Sequence, residues 1–194
     1  MPAGFTDSER KIITTKLREA ALECLQRYGV RQTTVDQLTN QAGISKGAFY
    51  SFYETKEHLM FEVLDETRRS IHDELGDRLQ AAGRDTEKIS SALFDMCMAT
   101  KSSIIIDIVK NRELDYLDRK LPESDVSKSF DMNMKFIGEY FSGSLCDGIS
   151  NASVVTAMAM LYSTMMHTEL YLPGEFELAL KLLIDAFVNQ IIKK

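Results

Sequence analysis

Hydrophobic residues recur at intervals of three and four over most of this chain, and this spacing predicts helices. The pattern predicts a helix over 8–28, two short helices that begin after Thr34 and Ser45, and a long helix over 55–80. Further helices are predicted over 86–101, 103–119, 124–146, 151–171 and 175–193, with breaks at Gly83, Pro122, Gly148 and Pro173-Gly174. No segment shows a convincing strand pattern, so the expected fold class is all-α.

The two short helices carry the most specific signals for helix ends. Thr34 and Gln37 have the spacing of a capping box, and Gly43 stands where a left-handed residue ends a helix. Ser45 can cap the helix that follows. The pattern therefore predicts two helices joined by a tight turn, as in helix-turn-helix proteins that read a DNA groove.

The order of these signals matches a known family. From Leu17 to Leu59 the segments LREAALECLQRYGV, TTVDQLTNQAG and ISKGAFYSFYETKEHL occur in register, and the chain resembles the DNA-binding domain of TetR-family transcriptional regulators. The resemblance implies an N-terminal three-helix DNA-binding domain, expected at 1–54, and a C-terminal helical domain for ligand binding and dimerisation, expected at 55–194. Ser51 and Glu54 depart from the commonest family pattern, which often has His and a non-acidic residue there.

The residues expected to contact DNA lie in and around the second short helix. Lys46 and Lys56 are expected to meet phosphates, and Gly47 and Ala48 to let the helix approach base edges. The complete expected set is Thr33, Thr34, Ser45, Lys46, Gly47, Ala48, Tyr50, Ser51, Tyr53 and Lys56.

The charge is unevenly distributed along the chain. The formal net charge is −6, but residues 1–60 carry 8 Lys and Arg against 7 Asp and Glu, and the remainder carries 15 against 22. Contact with a duplex must therefore come from a local patch and not from a global field. The first ten residues are polar, without the apolar core of a secretory signal, so a cytoplasmic location is expected. The three cysteines Cys24, Cys97 and Cys146 are expected to be reduced core residues.

Gly148 to Thr168 contains no Asp, Glu, Lys or Arg over 21 residues. Several Ser, Thr and Asn residues interrupt it, so a helix buried on nearly all sides is preferred to a membrane span. In proteins that the chain resembles, the last two helices pair with their symmetry mates in a dimer. The expected interface residues are Val154, Met158, Leu161, Met165, Leu180 and Phe187; alternatively, both helices complete a monomer core.

Methionine and aromatic residues concentrate between Phe94 and Phe141, and methionine adapts to varied apolar ligands. A small hydrophobic effector could bind there, and would act by tilting the long 55–80 helix. The residues expected to bind it are Met96, Tyr116, Met132, Phe136, Tyr140 and His167. The alternative is that the apolar residues are ordinary core and His167 is hydrogen-bonded in the core or an interface.

The chain shows no catalytic or metal-binding motif. Its three histidines lack metal-ligand spacing, and Glu113 and Asp115, at i and i+2, do not share a helix face and are expected to be solvated. No enzyme activity, cofactor or metal is therefore expected. The expected function is a ligand-responsive repressor that binds a palindromic operator in double-stranded DNA as a homodimer. An activator, or a DNA-binding regulator without a ligand, remains an alternative.

Overall fold

The computed structural model of this protein describes residues 5–121, 140–141 and 145–192. Its helices are α1 (Asp7–Gln32), α2 (Val35–Ala42), α3 (Lys46–Tyr50), α4 (Lys56–Ala82), α5 (Thr86–Lys101), α6 (Ile104–Lys110), α7 (Glu113–Lys120), α8 (Asn151–Met166) and α9 (Phe176–Ile191). Extended pairing within the described ranges is limited to one isolated antiparallel bridge, between Leu145 and Ile192. The predicted all-α fold is confirmed.

Two predicted helices have different bounds in the structure. The single helix predicted over 103–119 is divided into α6 and α7, because Arg112 adopts a left-handed conformation with a φ of 56°. The helix predicted over 151–171 ends at Met166, and a short 3-10 helix, Thr168–Leu170, follows it. Most of the helix predicted over 124–146 lies outside the described residues.

The chain divides into two compact units, which differ from the expected domains. The first, the N-terminal unit, contains Met1–Thr67 together with Asp107–Val126. The second, the C-terminal unit, contains Arg68–Ile106 and Ser127–Lys194. The expected division at 54/55 falls just before α4, whereas α4 runs unbroken through residue 67 and contributes to both units. Residues 107–126 join the N-terminal unit because α7 packs against α1.

The core of the N-terminal unit is formed by α1, α2, α3 and the first turns of α4, with residues of α6 and α7. The largest fully buried side chains there are Leu17, Leu25, Leu38, Phe49, Leu59, Met60 and Ile108. Phe49 is the single fully buried residue of the short helix α3, so it anchors that helix to the unit. The other residues of α3 remain at least partly exposed.

The core of the C-terminal unit is formed by the last turns of α4 with α5, α8 and α9. It includes Leu75, Leu79, Ile89, Leu93, Met96, Cys97, Val154, Met158, Leu161, Met165, Leu180, Ile184 and Val188. Burial raises the pKa of the Cys97 thiol to about 12, which keeps that thiol protonated. All three cysteines are free, and Cys24 and Cys97 are buried as predicted, whereas Cys146 is partly exposed.

Among the helices that the structure describes, none combines the length and the apolar character that crossing a bilayer requires. The charge-free segment contains the whole of α8. One side of α8 is buried, but Ala152, Thr156, Ala159, Met160 and Ser163 are exposed. The expectation of burial on nearly all sides is therefore wrong for the single chain.

Candidate DNA-binding surface

The α2–α3 turn is fixed by the capping residues that the sequence predicts. The Thr34 hydroxyl accepts a hydrogen bond from Gln37 N at 3.2 Å, and Thr34 N donates to the Gln37 side chain at 2.7 Å. Gly43 follows α2 in a left-handed conformation with a φ of 68°. Ser45 then caps α3, because its Oγ accepts from Ala48 N at 3.1 Å. These local bonds set where α2 ends and where α3 begins.

Helix α3 has one buried face and one open face. Phe49 is completely buried, while Lys46, Gly47, Tyr50 and Ser51 are exposed. The Tyr50 side chain is the most prominent aromatic group on this face, with 57% of its surface exposed. The open face therefore carries one cation, two hydroxyls and a glycine, which are groups that can donate to phosphates and lie close to a duplex.

Gly47 has no side chain, so nothing projects from the middle of the open face of α3. A Cβ atom at Gly47 would meet only the Ser45 Oγ, at 3.9 Å, so the space above its Cα is open. The backbone of α3 could therefore come close to another molecule at this point.

Lys46 is already engaged in an ion pair. Its Nζ lies 2.7 Å from Asp36 Oδ1, and both side chains are more than half exposed. The hydrogen bond to Asp36 raises the pKa of Lys46, so the ammonium group stays charged. Asp36 thus orients Lys46, but its negative charge also competes with any phosphate for that ammonium group.

Two residues expected to contact DNA, Lys56 and Thr33, make hydrogen bonds within the N-terminal unit, and Lys56 is partly buried. The Lys56 Nζ donates to the carbonyl oxygens of Val30, Arg31 and Thr33 at 2.7, 3.2 and 2.6 Å. Thr33 is buried, and its hydroxyl donates to Gly29 O at 2.6 Å. Three carbonyl partners occupy the three protons of the Lys56 ammonium group, so this geometry favours a role in the α1–α2 connection over a phosphate contact.

Tyr53 also lies on the inner side of the unit. Its side chain is half-buried, and its ring packs against Phe49 with the ring centroids 6.1 Å apart. Burial, with the neighbouring Glu62 carboxylate, raises the pKa of the Tyr53 hydroxyl to about 12. Among the expected contacts, Thr34, Ser45, Lys46, Gly47, Tyr50 and Ser51 are exposed, and Ala48 is partly exposed.

Residues 17–63 match the family model described as bacterial regulatory proteins, tetR family. This range runs from the middle of α1 through α2 and α3 into α4, so it covers the whole helix-turn-helix. Residues 17–63 therefore carry the DNA-binding segment that characterises the tetR family of bacterial regulatory proteins.

One relative and several solved structures are also similar to this chain. The HTH-type transcriptional regulator YhgD of Bacillus subtilis (strain 168) is 26% identical over 76 residues, a match that spans 39% of this chain and 40% of that protein. A TetR-family regulator from Mesorhizobium loti has a similar fold, with a TM-score of 0.73 at 16% identity over 97% of this chain and 100% of its own. The FadR regulator of Bacillus subtilis, solved with stearoyl-CoA, gives a TM-score of 0.64 at 13% identity over 91% of this chain and 98% of its own. At these identities the two solved structures indicate the fold alone.

Of the six residues expected to bind an effector, the structure describes Met96, Tyr116, Tyr140 and His167. Met96 is in the core of the C-terminal unit, beside a cleft of about 20 Å³ that has room for one water molecule. The Tyr140 hydroxyl donates to Leu79 O at 2.6 Å, and His167 is exposed at the end of α8. Tyr116 belongs to the N-terminal unit, where its hydroxyl donates to Glu57 at 2.7 Å. Met132 and Phe136 lie outside the described residues.

The expected dimer residues form the core of the single chain. Val154, Met158, Leu161, Met165 and Leu180 are each at most 7% exposed, and Phe187 packs partly buried against the same core. Their burial in the single chain fits the alternative that both helices complete a monomer core. Helices α8 and α9 carry apolar residues on two faces, and periodicity does not show which face meets the chain's own core. The apolar residues left exposed on or beside these helices are Met160, Leu170, Tyr171, Leu172, Leu178, Leu182 and Leu183.

Sequence reasoning also placed one acidic residue wrongly. Glu113 is buried, with 7% of its surface exposed, although it was expected to be solvated. Its Oε2 accepts a hydrogen bond from Val30 N at 2.7 Å. Asp115, by contrast, is exposed and pairs with Arg112 at 3.0 Å. The local sequence holds no signal for this difference, because the partner of Glu113 lies on another helix.

Proposed function

We propose that this chain is a ligand-responsive repressor that binds a palindromic operator as a homodimer through the open face of α3. The observation that carries the proposal is the capped α2–α3 pair with its exposed Lys46, Gly47, Tyr50 and Ser51, inside a TetR-family match. Lys46 and Tyr50 supply phosphate donors, and Gly47 allows close approach to the bases. Residues 1–60 carry only one more basic than acidic residue, so DNA affinity should depend strongly on these few contacts.

A homodimer is supported by the exposed face of α9. Leu178 and Leu182 are one helical turn apart and are 60% and 61% exposed, and Leu183 beside them is 53% exposed. The exposed face of α8 is uncharged, with Met160 as its largest side chain, at 65% exposed. Large exposed apolar residues on neighbouring elements mark surfaces that another protein covers. A second copy would cover these faces and would also give the protein two α3 helices for the two halves of a palindrome.

The effector is proposed to be a small hydrophobic molecule. The support is the similarity of fold to FadR, a structure that holds stearoyl-CoA, and the apolar composition of the C-terminal unit. Helix α4 belongs to both compact units and is continuous from Lys56 to Ala82, so we propose that it transmits the effect of the ligand. Coupling of this kind is worth ~1–3 kcal/mol, or about 5- to 150-fold in DNA affinity.

The experiment selects duplexes from a random pool with the purified protein and measures the affinity of the recovered sequence by fluorescence anisotropy. Recovery of an inverted repeat supports the proposal, and recovery of no sequence refutes operator binding. Thermal shift with long-chain acyl-CoA and with free fatty acids then tests for an effector, using CoA as the control. A compound that raises the melting temperature and weakens operator binding supports a ligand-responsive repressor.

The alternative functions give different results in the same assays. A compound that strengthens operator binding and increases transcription from a reporter indicates an activator. If no hydrophobic compound changes either the melting temperature or the operator affinity, the protein is better described as a ligand-independent regulator.

A further inference from the structure

The connection between α1 and α2 is held from outside the helix-turn-helix by helix α7. The Glu113 carboxylate at the start of α7 reaches the backbone at Gly29 and Val30, and its Oε2 accepts from Val30 N at 2.7 Å. A Cβ atom at Gly29 would lie 2.6 Å from both carboxylate oxygens, so only glycine leaves room for this approach. Gly29 also has a φ of 71° and a ψ of −177°, a combination that glycine adopts far more readily than other residues.

The same residue, Val30, is also bound by Lys56. While Val30 N donates to Glu113, Val30 O accepts from the Lys56 Nζ at 2.7 Å. Burial lowers the pKa of Lys56, and the nearby carboxylates of Glu57 and Glu113 oppose that effect. Glu113 and Lys56 together fix both backbone polar groups of Val30.

Further contacts join α7 to the same connection. The Arg31 guanidinium donates to Arg112 O at 2.9 Å and lies over the Tyr116 ring, 5.5 Å from its centroid. The Tyr116 hydroxyl donates to Glu57 at the start of α4. Helix α7 therefore contacts the end of α1 and the start of α4, although it lies outside the family match at residues 17–63.

This connection leads directly into the helix-turn-helix. Thr33 ends the segment held by Lys56, and the next residue, Thr34, caps α2. We propose that Glu113 is a positioning residue for DNA binding, which acts by fixing the α1–α2 connection and hence the placement of α2 and α3. The inference depends on the proposed DNA-binding function, and it adds a residue from a distant part of the chain to that function.

The experiment compares full-length variants on the duplex recovered by the wild-type protein. Glu113→Ala should weaken binding by about 10- to 100-fold, because a charged hydrogen-bond partner of a buried N–H group is lost. The dependence of affinity on salt should stay the same, because Glu113 contacts no phosphate. Glu113→Gln, which keeps an acceptor oxygen at the same distance, should restore most of the affinity. Asp115→Ala is the matched control on the exposed side of α7, and it should bind like the wild type.

Amide hydrogen exchange separates positioning from general stability. In Glu113→Ala the Val30 amide should exchange faster while the amides in the middle of α1 keep their protection. If Glu113→Ala does not fold, Glu113→Asp, which withdraws the carboxylate by one methylene, should show the same two effects to a smaller degree.

Three results have distinct meanings. If the wild-type protein recovers a duplex and the folded Glu113 variants bind it equally well, the inference is wrong and the proposed function stands. If the affinity for the duplex falls only in proportion to a loss of amide protection throughout the protein, Glu113 contributes to general stability and the inference is also wrong. If the wild-type protein recovers no duplex, both the proposed function and the inference fail.

Discussion

Replacing Gly29 by alanine should destabilise the N-terminal unit more than the same change at any other glycine near the helix-turn-helix. Two separate costs are expected. The backbone conformation of Gly29 is one that a side chain disfavours, which costs ~1–3 kcal/mol. The new Cβ atom would also lie 2.6 Å from the Glu113 oxygens and displace the carboxylate. Loss of its charged hydrogen bond to Val30 N adds ~1.5–3 kcal/mol, so the total is roughly 2.5–6 kcal/mol.

Gly43→Ala is the matched control. Gly43 also has a positive φ, of 68°, but a Cβ atom there would find no other atom within 4 Å. Only the backbone cost of a left-handed conformation remains, ~1–2 kcal/mol. Alanine restricts the unfolded chain equally at both positions, so that contribution cancels when the two variants are compared.

The assay is urea unfolding followed by far-UV circular dichroism, since the chain contains no tryptophan. Repeating Gly29→Ala in a Glu113→Ala background removes the close contact, so the cost of the alanine should fall to its backbone part, ~1–3 kcal/mol. The reasoning is refuted if Gly29→Ala unfolds as readily as Gly43→Ala, or if its cost is unchanged in the Glu113→Ala background.

The remaining predictions concern the charge on α3, the dimer surface and pH. Lys46→Ala should weaken binding to all duplexes and lower the slope of log affinity against log salt concentration by about one. Asp36→Asn should strengthen binding, because the Asp36 carboxylate then no longer competes with phosphate for the Lys46 ammonium group. Unchanged affinity in both variants would exclude a Lys46–phosphate contact. Leu182→Glu should give folded monomers by sedimentation, while Met158→Glu, in the core, should instead lower the melting temperature; a dimeric Leu182→Glu would place the interface elsewhere. Burial, together with Arg68, holds the pKa of His72 at about 4, below its ordinary 6.5. Between these two pKa values the unfolded chain binds a proton at His72 that the folded chain does not bind. The contribution of His72 to the free energy of unfolding should therefore be fully present above pH ~6.5, and the free energy of unfolding should fall by up to about 3 kcal/mol as the pH drops towards 4. His72→Gln should flatten this part of the stability curve, and an unchanged curve would mean that another group titrates.

Local chemistry explains why the sequence predicted the helix-turn-helix well. The capping partners of Thr34 and Ser45 are three residues away along the chain, so their spacing alone indicates the bonds that the structure contains. The left-handed turn at Gly43 is likewise encoded by one residue and its neighbours. These elements could be predicted without knowledge of any tertiary contact.

Tertiary contacts explain where the prediction failed. Glu113 is 83 residues from Val30, and nothing between them indicates that the two meet. Lys56 was expected to meet a phosphate because of its charge and position, but its ammonium group donates to the carbonyls of Val30 and Thr33. On α8, Met158 and Met160 are equally apolar, and only packing decides that the first is 1% exposed and the second 65%.

The N-terminal unit is made of two separate segments of chain, and this limits where a chimera with another protein can be joined. A chimera joined within α4 at Thr67 would carry the helix-turn-helix of this chain but not its Glu113. The Val30 N–H group would then lose the carboxylate that accepts its hydrogen bond. A graft that also transfers residues 107–121 would keep the carboxylate, the Gly29 gap that receives it and the Tyr116–Glu57 bond. The transferable module of this protein is therefore made of two segments of chain, and the second lies well beyond residues 17–63, which match the family model.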